Sequence, residues 1–328
     1  MTQAVRFHEL GGPDVLTLEE VSVREPGQDE VALKVEAVGL NRAESMYFHG
    51  QYFEQPQFPA GLGYEAVGVV TAVGAGVSPD LIGQRFGTIP GYSMNKYPVL
   101  AGEAVVPTNV LAALPPALSA VEGAAAWMQY CTAYGALVPL GHVGPGDFVI
   151  ITAASSSVGL AAIQIVKDEG ATAIATTRTS AKKQEILDLG ADHVIATQEE
   201  DLPARVKEIT GGKGARIVFD AVGGDYVATL MEAAATEGTV YLYGTFSGQP
   251  TPYPLSAFHK AVSLTGYTFL VLRDTPERWE AMKNYIYGKL ADGTFKPKID
   301  RVFPLAEAAD AYRYLESNAQ VGKVVITV

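Results

Sequence analysis

Residues 153–159, AASSSVG, are the stretch whose types and spacing point most directly to chemistry. They follow a short run of β-formers at 148–152. They precede a helical pattern carrying Leu160, Ile163, Ile165 and Val166 that stops at Gly170. Small residues in such a turn let the backbone approach a diphosphate, and the following helix N-terminus aims N–H groups and partial positive charge at it. Ser155, Ser156, Ser157 and Val158 are therefore candidate diphosphate ligands. The dinucleotide fingerprint asks for three glycines. Here Gly159 fills the third place, Ala153 stands in the first and Ser156 in the second. Taken alone, the stretch fits a plain strand–turn–helix as well as a nucleotide site.

The next strand narrows the choice. An NAD site usually ends it with an acid that grips the ribose 2′-hydroxyl. Here 171–177, ATAIATT, runs into Arg178 with Lys182 close behind, and no carboxylate occurs between Gly170 and Glu185. Two cations in that place would attract a 2′-phosphate. Solvated helix-end cations are the alternative reading, because exposed Lys and Arg are common. A missing acid and two gained bases agree with each other, and the expected coenzyme is NADPH.

These residues need elements to hold them. From 147 the pattern alternates strand and helix through 239–243, which reads as a doubly wound parallel sheet. The first ~110 residues differ, with short strands, glycine punctuation and no βαβ rhythm. A helix fits 276–292 and another 305–317, and the chain ends in a strand, KVVITV. These last elements are expected to return to the β-rich part, giving an α/β architecture with an inserted nucleotide domain at 121–267 and a second domain from 1–120 and 268–328.

Bulk properties exclude several classes. The chain has 328 residues, 48% hydrophobic and 18% charged, which suits two folded domains. A net charge of −12 argues against nucleic-acid or anionic-membrane binding. One cysteine, Cys131, forbids an intrachain disulfide and a cysteine-rich zinc lobe. No apolar leader or span is visible, so a cytoplasmic location is expected.

The order and spacing of GLN at 39–41, GLGYEAVGVV at 61–70, WMQYCTAYGAL at 127–137, AASSSVGLAAIQIVK at 153–167, GADHVI at 190–195, DAVGG at 220–224 and GKVVI at 322–326 carry a resemblance. The chain resembles the zinc-independent quinone oxidoreductase-like branch of the medium-chain dehydrogenase/reductase superfamily over nearly its whole length. The resemblance implies a GroES-like β-rich catalytic domain, an inserted Rossmann domain and an active site in the cleft between them. Zinc-using relatives hold their metal with cysteine, histidine and cysteine; the matching positions here are Asn41, Tyr64 and Met128. Amide, phenol and thioether are not a zinc donor set, and the five histidines show no ligand spacing, so no metal is expected.

By position within that pattern, Val222 and Gly223 would lie near the adenosine ribose, and Gly244, Thr245 and Phe246 near the nicotinamide ribose. Asn41 and Thr132 would lie near the nicotinamide, Phe269 and Val271 at its carboxamide, and Lys323 would approach from the last strand. Ordinary packing is an equal alternative for Thr132 and Phe269. Lys182 falls where quinone oxidoreductases resemble one another in carrying a 2′-phosphate lysine. The implied reaction is hydride delivery to a quinone or to a C=C conjugated with a carbonyl, where negative charge builds on a distant oxygen. The candidate donors to that oxygen are Asn41, Tyr52, Tyr64 and Gln129; a buried tyrosine bonded to a backbone carbonyl is the alternative for Tyr64. Tyr47, Phe48, Phe53 and Phe246 are candidate walls for a flat acceptor. An enoyl-thioester reductase, or a nucleotide-binding protein with little redox activity, remains open. Analogy with the family suggests a homodimer or homotetramer joined through an edge made by 239–243 and 262–268.

Overall fold

Alternation and glycine punctuation in the first part of the chain produce short antiparallel strands. These are β1 (Thr2–Phe7), β2 (Thr17–Val21), β3 (Glu30–Gly39), β4 (Ala60–Gly61), β5 (Glu65–Val73), β6 (Arg85–Thr88), β7 (Glu103–Pro107) and β8 (Leu111–Ala113). Helix α1 (Arg42–Phe48) follows β3, and α2 (Ala120–Gly123) follows β8. The computed structural model describes all 328 residues.

The middle of the chain alternates strand and helix as its pattern predicts. Helix α3 (Trp127–Gly135) leads to β9 (Phe148–Ile151), α4 (Ser157–Asp168), β10 (Thr172–Thr177), α5 (Lys183–Asp188) and β11 (His193–Ala196). Then come α6 (Leu202–Ile209), β12 (Ala215–Asp220), α7 (Tyr226–Ala233), β13 (Ala234–Leu242), β14 (Ser263–Gly266) and α8 (Pro276–Ala291). The six strands form one parallel sheet in the order β11-β10-β9-β12-β13-β14. The chain winds outward from β9 to β11, crosses back to β12 and winds out on the other side. That reversal is the topological switch point at which doubly wound sheets bind ligands, beyond the carboxyl ends of their strands. Ile150, Ile174, Ile195, Val218 and Val240 line its core with Leu230 and Met231. Continuous apolar runs of this kind suit strands covered on both faces.

The last elements are β15 (Ile299–Pro304), α9 (Ala308–Ser317) and β16 (Lys323–Thr327). Strand β16 pairs antiparallel with β3, so the seven-strand path runs β15-β16-β3-β5-β6-β8, with β7 also on β3. The chain divides into one unit of 1–128 with 296–328 and another of 129–295. This division differs from the sequence-derived bounds at two places. Residues 121–128 lie with the first unit because Ala124 and Ala125 pack among Ala37, Val67 and Val325. Residues 268–295 lie with the second because α8 is tied to the end of α4. Lys289 Nζ lies 2.8 Å from Asp168, and the Tyr285 hydroxyl donates to Glu169 at 2.8 Å. Tyr47 and Phe48, expected as walls for an acceptor, are instead fully buried against Phe7 and Tyr312. Residues 239–242 sit inside the parallel sheet, so only β14 offers the edge expected of 239–243 and 262–268 together. No helix is long and apolar enough to cross a membrane.

Gly39 is where the first unit's strands converge, opposite Glu65 on β5 and Val325 on β16. A Cβ there would lie 1.9 Å from the Ala124 carbonyl oxygen and 2.8 Å from Lys323 Cε. Backbone cannot yield that far. Gly39→Ala should therefore destabilise the protein by about 1–3 kcal/mol or more through overpacking. Gly288→Ala, in a helix with open space around it, should leave stability level or raise it by up to about 1 kcal/mol. Thermal unfolding of both variants checks this; equal midpoints would refute the close approach at Gly39.

Candidate functional site

Beyond the carboxyl ends of the parallel sheet, the serine turn is built as a cradle. Ala153 adopts the left-handed backbone, φ +48°, where a glycine would be unstrained. Ser156 caps α4 by accepting from the Gly159 N–H at 3.1 Å. Its own hydroxyl proton is left to donate. A Cβ on Gly159 would lie 2.6 Å from Ala154 Cα and 2.8 Å from two carbonyl oxygens. The one surviving fingerprint glycine is thus the one that lets helix and turn pack closely.

Lys182, part-buried, donates to Ser155 Oγ at 3.4 Å, so the turn and the lysine expected at a 2′-phosphate come together. Arg178 follows β10 and is exposed. The sequence did not reveal that Glu199, nineteen residues beyond Ser180, also reaches this loop and accepts from the Ser180 N–H at 2.9 Å. The local charge is less positive than the sequence interval alone suggests.

Asp220, fully buried at the end of β12, organises the neighbouring loops. It accepts from Thr152 Oγ1 at 2.7 Å, Val222 N at 3.0 Å and Gly223 N at 2.9 Å. Thr152 Oγ1 in turn accepts from Ala221 N at 2.9 Å. The N–H groups of Val222 and Gly223 are therefore occupied inside the protein. Gly244 lies against Ala221, where a Cβ would meet its carbonyl oxygen at 2.8 Å, and Phe246 N donates to the same oxygen at 3.0 Å. Thr245 and Phe246 are exposed on this edge. Tyr243 stacks on Phe219 at 4.0 Å, its buried hydroxyl turned toward Ser156 without a bond of good geometry. Gln129 and Thr132 are buried on α3, and Gln129 Oε1 has no hydrogen-bond partner. The Phe269 ring packs over Trp279, while Val271 on the same turn is exposed.

In the first unit the strand register at Gly39 gathers a second group. Lys323 Nζ lies 2.6 Å from Glu65 Oε2 and 2.6 Å from Asn41 Oδ1, with the lysine and glutamate side chains 1% and 0% exposed. Glu65 Oε1 accepts from Met128 N at 3.0 Å. Asn41 Nδ2 donates to Gly39 O and to Glu44 Oε1, at 3.0 and 3.3 Å. Glu44, fully buried, also accepts from Asn41 N at 2.8 Å and from Tyr64 N at 3.1 Å. The Tyr64 carbonyl accepts from Tyr92 and Thr88. Tyr52 and Tyr64 meet edge to face and bond through their hydroxyls. Burial pushes both phenols well up, so they stay protonated donors. Lys323, expected to approach a coenzyme, is here a buried cation with two partners.

Glu44 and Glu65 were not singled out in the sequence, although an acid inside the apolar run 61–70 and a lysine opening an apolar strand were visible signals. No three His, Cys, Asp or Glu side chains cluster as a metal site would require.

Comparison with known proteins places the chain in a family. Residues 27–136 match a family described as the alcohol dehydrogenase GroES-like domain, and 157–285 one described as zinc-binding dehydrogenase. Positions 41, 64 and 128 lie outside the second match. Quinone oxidoreductase 1 of Escherichia coli (strain K12) is 32% identical over 99% of each chain. The chain belongs to the quinone oxidoreductase branch of the medium-chain dehydrogenase/reductase superfamily. It is an oxidoreductase with a GroES-like domain and a Rossmann domain. A 2-haloacrylate reductase from Burkholderia sp is 29% identical over 99% of each chain. The structure of Escherichia coli quinone oxidoreductase complexed with NADPH superposes with a TM-score of 0.91 at 30% identity, covering 99% of this chain and 100% of that one.

Burial raises the Glu44 carboxyl from the usual 4.5 to about 7, against the pull of Lys323. The folded protein then holds a proton that the unfolded chain releases between those values. This contribution to stability is present below about 4.5 and is lost as pH rises through about 7. Relative to Glu44→Gln, which keeps a side chain suited to this capping position, wild type should lose unfolding temperature from pH 5 to pH 8. Parallel pH profiles of the two proteins would count against it.

Proposed function

We propose that the protein is an NADPH-dependent reductase of quinones or α,β-unsaturated carbonyl compounds. The observation that carries this reading is Lys182 reaching Ser155 at the N-terminus of α4. The NADPH complex of the Escherichia coli relative supports it. The residues suit such a coenzyme chemically: a capped helix start, free serine hydroxyl protons, two nearby cations and a glycine whose Cβ would obstruct the turn. When bound, the coenzyme supplies a hydride to an electron-poor carbon.

The chain's own residues bind, orient and hold protons. Ser155, Ser156, Ser157 and the N–H groups opening α4 bind the diphosphate. Arg178 and Lys182 pair with the 2′-phosphate. Gly244, Thr245 and Phe246 shape the edge beside it. The bonded pair of protonated phenols, Tyr52 and Tyr64, has one O–H left to give, and it donates to the acceptor oxygen as its charge grows. Gln129, with an unpartnered buried oxygen, orients a polar group of the ligand. An activated alkene such as an acrylate is a second acceptor class, favoured by the 2-haloacrylate reductase relative.

NADPH consumption measured with a quinone, a simple enone and a crotonyl thioester ranks these acceptors; silence with all three would sink the reading. Arg178→Ala/Lys182→Ala should weaken NADPH binding by about 10–100-fold, the worth of one or two charged hydrogen bonds, and leave NADH binding nearly level. An unchanged preference would mean the 2′-phosphate lies elsewhere.

We also propose that two copies pair through β14. Its residues are largely exposed, and Leu255 and Phe258 nearby are 76% and 64% exposed. Light scattering should find an oligomer that Leu255→Lys/Phe258→Lys weakens. A wild-type monomer at micromolar concentration would contradict the pairing.

A further inference from the structure

The proposed function leaves one feature of the first unit without a role: a lysine and two glutamates buried together around Asn41. We propose that Lys323, Glu65 and Glu44 are positioning residues for the Tyr64 phenol, and that the Asn41 amide belongs to this frame and makes no bond to the acceptor. The proposal rests on the reductase reading for its catalytic consequence.

The hydrogen-bond inventory of Asn41 is the first argument. An amide has two N–H donors and one oxygen. Here Nδ2 serves Gly39 O and Glu44 Oε1, and Oδ1 accepts from Lys323 Nζ at 2.6 Å. No amide donor is left for an acceptor oxygen. Of the donors considered in this unit, the Tyr52–Tyr64 pair remains, with one O–H to give beyond the bond between the two rings.

The second argument is how the dipeptide Tyr64–Glu65 is held. Glu44 accepts from the Tyr64 N–H, and Tyr92 and Thr88 donate to the Tyr64 carbonyl. The next side chain, Glu65, is fixed by Lys323 on one oxygen and by the Met128 N–H on the other. The Tyr64 backbone is therefore tied to the buried Glu44 carboxyl on its N–H side, and the residue that follows is tied to the buried Lys323–Glu65 pair. Asn41 links the two carboxyl groups, touching Glu44 directly and Glu65 through Lys323. Removing Lys323 would leave Glu65 buried without its counter-charge, and the chain next to Tyr64 would have to shift. A displaced donor costs rate in the step where charge develops and leaves coenzyme binding alone.

The experiment is a double-mutant cycle. Lys323→Met should lower kcat with an enone about 10–100-fold, with the KM for NADPH unchanged, and Lys323→Arg should recover most of the loss. In a Tyr64→Phe background, adding Lys323→Met should cost nothing further. A raised KM for NADPH with kcat kept would overturn the proposal and make Lys323 a coenzyme contact. Equal losses in both backgrounds would overturn it too. If Lys323→Met fails to fold, Lys323→Met/Glu65→Gln removes both charges and carries the same cycle. Should wild type reduce no acceptor, the function reading falls, and the frame is judged on protein labelled with 13C at the tyrosine rings. Lys323→Met must then move the Tyr64 signal, assigned with Tyr64→Phe; an unmoved signal overturns the proposal whatever the activity.

Discussion

A lysine ammonium that is only 1% exposed has to be matched by charge inside the protein, because removing it from water unpaired is prohibitively unfavourable. Lys323 opens the last strand, and its partners Asn41 and Glu65 come from the end of β3 and the start of β5. Three segments far apart in sequence are tied at one point. The tie works only because Gly39 has no side chain, since Ala124 and Lys323 occupy the space a Cβ would need. Such a pair is weak evidence of net stability. In the observed register of the final strand on β3 the charge is satisfied.

The second unit meets the same requirement with a carboxylate. Asp220 is fully buried, and it accepts hydrogen bonds from one hydroxyl and two backbone N–H groups. The loops after β9 and β12 are locked together at the switch point, and the serine turn rests on a fixed base. The diphosphate proposed for this turn would meet groups that need no rearrangement, whereas ordering them on binding would subtract from affinity. The departure from three glycines is tolerated because Ala153 bears a modest left-handed strain and Ser156 supplies a cap that glycine cannot.

Much was legible in the chain itself. Strand and helix periods, with small residues between, located the parallel sheet and its serine turn, because continuous apolar runs and a 3.6-residue stripe are local consequences of burial. The lack of an acid from Gly170 to Glu185, and the amide, phenol and thioether at positions 41, 64 and 128, were equally plain, since residue identity decides donor chemistry. What only the tertiary structure decided concerns partners distant in sequence. Glu199 arrives beside Ser180, the α8 helix packs with α4, and Tyr47 and Phe48 turn into a core. Lys323 gives its charge to Glu65 and Asn41. Periodicity says which residues are buried, but it does not say which buried charge meets which. That is set by strand register and close backbone approach, and these exist only once the chain has closed on itself.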